Sequence, residues 1–74
     1  MNIRPLATNV TEVTTDIGRI LVSYSTPVAC YLTAEGKYYR TEQKWSKTTA
    51  RHINAWLDGA KTEPVTQDFL NQLI

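Results

Sequence analysis

The first half of the chain alternates apolar and polar residues with a period of two, and the second half changes to helical spacing. Nothing else in the sequence limits the fold as much. Val10, Glu12 and Thr14 oppose Thr11, Val13 and Thr15, a β-branched run that predicts a strand from about Asn9 to Thr15. Asp16-Ile17-Gly18 suits a reversal, because glycine accepts positive φ without steric cost. In the next run Ile20, Val22 and Tyr24 share one face, and Leu21 lies opposite with Ser23 and Ser25. Pro27 lacks a backbone donor, which predicts a turn or bend at Thr26-Pro27. Val28, Cys30 and Leu32 then line one face of a further strand. Ala34-Glu35-Gly36 suits a three-residue hairpin leading into Lys37-Tyr38-Tyr39-Arg40-Thr41.

Ser46 is placed to cap a helix that Gly59 ends, with Thr49, Ile53, Trp56, Leu57 and Ala60 on one stripe. Thr66 is placed to cap a short final helix, with Val65 and Leu70 in the positions of a hydrophobic staple. The expected fold is a single α+β domain over residues 1–74. A three- to four-stranded antiparallel meander at about 9–41 is covered by one main helix at 46–59, with a short C-terminal helix at 66–74.

The residues offer little to catalysis. His52 is the sole histidine and Cys30 the sole cysteine, so neither a multi-histidine metal site nor an internal disulfide is available. Cys30 and His52 could form a nucleophile–base pair, but a cysteine in mid-strand between Val28 and Leu32 reads as a small buried hydrophobe. For His52, a satisfied, half-buried imidazole is the preferred reading over a ligand or switch. No glycine-rich phosphate loop or Cys-x-x-Cys is present, and no cofactor is expected. No apolar run approaches the ~18–20 residues of a membrane span, and the opening residues lack the apolar core of a signal peptide. A soluble intracellular chain without a membrane partner is therefore expected.

The informative stretch runs from Lys37 to His52. Five bases (Lys37, Arg40, Lys44, Lys47 and Arg51) face the single acid Glu42, a formal +4 in a chain whose total is +1. Tyr38, Tyr39 and Trp45 lie among them, a mixture able to contact phosphates and stack on bases. The alternative is a solvated edge strand and helix flank, with lysine guarding the edge against pairing. Lys47 and Arg51 sit near the positive end of the helix dipole and Asp58 near the negative end, each against the preferred sign. Trp45 reads either as a lid on the core, the preferred reading, or as an exposed anchor.

Ser23-Tyr24-Ser25-Thr26-Pro27-Val28-Ala29, Tyr38-Tyr39-Arg40-Thr41 and the block from Lys44 to Leu57 (Trp45-Ser46, Thr48-Thr49, Arg51-His52-Ile53, Trp56-Leu57) resemble a family of short uncharacterised phage and prophage proteins. The likeness covers about Gly18 to Gly59. It implies a small domain made in the bacterial host cytoplasm that binds and blocks a host component. A non-enzymatic, anti-CRISPR-like inhibitor of a defence complex is the most concrete form. Its partner, a host protein or ribonucleoprotein complex, would be gripped through Lys37, Tyr39, Arg40, Lys44, Trp45, Lys47, Arg51 and His52. The rival reading is a nucleic-acid-binding module using the same segment, and a strand edge could pair two copies.

Overall fold

The computed structural model describes residues 2–74. Its strands are β1 (Asn2–Ala7), β2 (Val10–Thr15), β3 (Gly18–Ser23), β4 (Thr26–Leu32), β5 (Lys37–Thr41) and β6 (Thr62–Val65). Helix α1 (Lys47–Leu57) lies between β5 and β6, and α2 (Gln67–Asn71) follows β6. The strands form one six-stranded sheet in chain order. The first four pairings are antiparallel and β5–β6 is parallel. A parallel neighbour requires a crossover, and α1 is that crossover.

The expected three- to four-stranded meander under one main helix is therefore corrected. The sheet has six strands and ends in a parallel pair. Both extra strands contain a proline, Pro5 in β1 and Pro64 in β6, and both lie at edges, where a missing N–H is tolerated. β1 is exposed along its whole length and so has no one-sided alternation to betray it.

The helices take opposite faces of the sheet. Ile53 and Leu57 of α1 pack with Val10, Leu21, Val28 and Ala29, whereas Leu70 of α2 packs with Val13, Ile20, Cys30, Leu32 and Tyr39. Neighbours such as Ile20 and Leu21, both wholly buried, belong to different clusters because successive strand side chains point to opposite sides.

One irregularity shifts this alternation. Leu21 pairs with Ala29 but Val22 pairs with Pro27, so Val28 is the extra residue of a β-bulge. Val28 joins Ala29 in the α1 cluster and does not share a face with Cys30 and Leu32, contrary to the simple period of two. The turn also moves: Ser23 pairs with Thr26 around Tyr24-Ser25, and Pro27 lies inside β4.

The helix ends follow local chemistry. Ser46 Oγ accepts from the Thr49 N–H at 3.3 Å, and Thr66 Oγ1 accepts from the Phe69 N–H at 3.2 Å. Asp58 and Gly59, at φ 49° and 82°, turn the chain out of α1. Helix α2 has five residues, too short to stand alone, and is held by the burial of Leu70. Among the described residues no helix is long and apolar enough to cross a membrane.

Candidate functional site

The segment from Lys37 to His52 does not form one surface. Lys37 pairs with Glu63 of β6 at 3.6 Å, with both side chains more than half exposed. Tyr39 faces α2, buried beside Phe69 at 6.1 Å between ring centres. Its hydroxyl donates to the Glu35 carboxylate, which together with burial pushes the phenol up to about 12. Arg40 points to the α1 side and donates from Nη1 to Asn54 Oδ1 at 3.3 Å. Trp45 is 41% exposed and its indole N–H donates to Gln67 Oε1 at 3.2 Å, so it is a tethered surface ring and not a lid on the core. Arg40, Lys44, Trp45 and Lys47 line a hollow of about 400 Å³ ahead of α1. Arg51 and His52 belong to a different one.

That second hollow, of about 610 Å³, is the richer in chemistry. It lies between α1 and the β1–β2 end of the sheet and is lined by Arg4, Arg19, Arg51, His52, Tyr38 and Trp56, with Glu12 in its wall and Leu6, Ala7, Val10 and Ala55 as apolar surface. The strand register explains the assembly. Arg4 lies opposite Glu12 and Arg19 opposite Tyr31, and cross-strand partners share a face.

Each wall residue is held. Glu12, only 7% exposed, accepts the Trp56 indole N–H on Oε1 at 2.8 Å, and Arg4 Nη2 lies 3.3 Å from Oε2. Arg19 lies 5.1 Å above the Tyr31 ring and donates from Nη2 to the Tyr38 hydroxyl at 3.2 Å. Tyr38 in turn stands edge-on to Trp56, with ring centres 5.7 Å apart and planes at 79°. Tyr31, Tyr38 and Trp56 thus form a row with Arg19 at one end.

His52 is oriented from behind. Its Nδ1 lies 2.9 Å from Ser23 Oγ, which lies 3.2 Å from Thr49 Oγ1, and Ser46 Oγ donates to Thr49 Oγ1 at 3.4 Å. This chain of hydroxyls fixes the imidazole through Nδ1 and leaves Nε2 as the ring nitrogen away from Ser23. Tyr24 closes against the same imidazole, ring centres 6.2 Å apart.

Cys30 lies on the other face of the sheet, wholly buried with Leu70 and Ile20. Burial, with a smaller contribution from the Glu35 charge, pushes its thiol up to about 11. The sheet separates it from His52, so the two form no nucleophile–base pair. Among the described residues no group of three or more His, Cys, Asp or Glu side chains is placed to hold a metal ion.

Arg4, Glu12 and Arg19 were not legible as site residues, because strand register and not sequence spacing unites them; Tyr38 was read with the basic run and Trp56 only as part of the apolar helix stripe. Glu12 carried a usable signal: it is the one carboxylate in a β-branched run, in phase with Val10. A family model described as a family of unknown function (DUF8033) matches residues 1–72. No curated protein and no solved structure matches the chain.

Proposed function

The chain belongs to the DUF8033 family, whose function is unknown, and we propose that it works as a non-enzymatic binding protein whose contact surface is the α1 side of the sheet. The observation that carries this reading is Tyr24. It occupies a two-residue hairpin at φ 58°, a region where a side chain costs roughly 1–2 kcal/mol and glycine does not, yet it is a tyrosine and 55% exposed. A strained, exposed aromatic beside the His52 ring is better explained by contact with a partner than by stability.

The partner we propose is a bacterial host complex bound by a phage protein, in the manner of an anti-CRISPR inhibitor acting in the host cytoplasm. Support for that partner comes from the resemblance over Gly18 to Gly59, which includes Tyr24. A nucleic-acid module built on residues 37–52 has less support, because those side chains are divided between two hollows, the β5–β6 edge and the α2 face. Pairing of two copies through a sheet edge is likewise less supported, since each edge strand carries a proline.

Tyr24→Gly tests the reading, because it separates binding from folding. Relief of strain should leave the melting temperature unchanged or higher, while capture of a defined complex by the tagged protein, and protection of phage in cells carrying the targeted defence, should fall. Undiminished capture and protection by Tyr24→Gly would refute this contact surface.

A further inference from the structure

The hollow between α1 and the β1–β2 end carries an excess of positive charge beside aromatic rings. Arg4, Arg19 and Arg51 line it against the one carboxylate of Glu12, in a protein whose formal total is +1. Both Glu12 oxygens are engaged, one by the Trp56 indole and one by Arg4, so the carboxylate serves the wall. Arg51 is exposed and makes no ion pair or side-chain hydrogen bond among the described residues. The hollow is therefore a cationic mouth over a fixed aromatic corner.

We infer that this cleft is a site for a nucleotide, with the arginines on its phosphate and its planar base against Trp56 and Tyr38. Three features converge on that class of ligand. Guanidinium groups match phosphate oxygens with paired N–H donors. Trp56 and Tyr38 meet nearly at right angles, and the Glu12 bond fixes the indole plane, so a flat ring finds a prepared face and edge. The volume of about 610 Å³ falls within the range of small-molecule sites. His52 adds its Nε2 as a further hydrogen-bonding atom, its Nδ1 being held by Ser23. The inference goes beyond the contact-surface reading and does not depend on it, since Tyr24 is absent from the cleft lining.

The two tryptophans make the test self-controlled, because Trp56 lines this cleft and Trp45 the other hollow. The indole N–H resonances of the full chain are followed by NMR during titration with AMP, GMP and UMP, the matching nucleosides, inorganic phosphate and a 5′-phosphorylated tetranucleotide. The Trp56 indole should shift with saturation while Trp45 stays in place. Nucleoside and inorganic phosphate should each bind more weakly than the nucleotide, and R51Q should weaken nucleotide binding about tenfold with an unchanged melting temperature. A mononucleotide that binds as tightly as the tetranucleotide identifies a free nucleotide as the ligand, and tighter binding of the tetranucleotide identifies a strand end. The inference is overturned if Trp56 does not move at millimolar nucleotide, if both indoles move alike, if inorganic phosphate matches the nucleotide, or if R51Q binds as well as wild type. The titration reads the Trp56 indole whereas the contact-surface test reads capture and phage protection, so failure here and failure of that reading remain distinct.

Discussion

The indole nitrogen of Trp56 donates to Glu12 at 2.8 Å, tying helix α1 to strand β2 across 44 positions of sequence. Glu12 is 7% exposed, and among the described residues Arg4 supplies its only other side-chain partner. Trp56→Phe keeps most of the apolar contact but leaves one buried carboxylate oxygen without a donor. The expected cost is about 1–3 kcal/mol in urea unfolding. Arg4→Gln should cost under about 1 kcal/mol, because the Arg4 side chain is 70% exposed and its ion pair is screened. If the two variants are equally destabilised, the indole bond is not the dominant link.

Cys30 should behave as a core residue with no reactive role. Its thiol is wholly buried and raised from 9.0 to about 11, so at pH 8 a disulfide reagent should modify the unfolded chain at once and the folded chain only at the rate of opening. The same shift has a thermodynamic sign. Between pH 9 and 11 the folded state holds a proton that the unfolded state has lost, so stability present below pH 9 falls as pH rises through that window. The loss due to this group is on the order of 2 kcal/mol. Rapid labelling of the folded protein at pH 8 would contradict the burial.

Tyr39 and Glu35 allow a direct titration. The Glu35 hydrogen bond is the largest cause of the raised Tyr39 value, ahead of burial and nearby negative charge. Glu35→Gln removes the charge from the acceptor. The Tyr39 phenol should then ionise at lower pH, moving from about 12 toward 10, and its own ring resonance in NMR follows it apart from the other three tyrosines. An unchanged titration would show that Glu35 is not the cause of the shift.

Several local elements were legible because their causes are local, although the architecture they build was not. Four inner strands follow from alternation between Val10 and Thr41, and both helix starts follow from Ser46 and Thr66. The missed parts have long-range causes. β1 and β6 exist because β2 and β5 offer them edges, and their prolines speak against strands only in a sheet interior. Val28 changes face because Pro27 stands at a bulge. The site was less legible still. Arg51 and His52 were singled out, and Trp56 follows His52 by one helical turn, but Arg4 and Arg19 reach them only through pairing register and the docking of α1. Lys37 and Tyr39, within the same stretch of sequence, lie apart from them, Lys37 paired to Glu63 of β6 and Tyr39 on the α2 face.

Gly18 and Gly36 separate backbone preference from space. Both have positive φ, 151° and 65°, so alanine is disfavoured at each by conformation. A Cβ at Gly36 would meet nothing within 4 Å, whereas a Cβ at Gly18 would lie 1.9 Å from the backbone oxygen of Tyr31 in the neighbouring strand. That oxygen cannot swing aside as a side chain would, since Tyr31 pairs with Arg19 on one side and Tyr38 on the other. Gly36→Ala should cost about 1 kcal/mol and leave the fold intact. Gly18→Ala must push β3 from β4 and should cost more than about 4 kcal/mol, enough to unfold a domain of this size. Circular dichroism and thermal melts of the two variants decide it: similar melts would mean that β3 and β4 separate readily at Gly18.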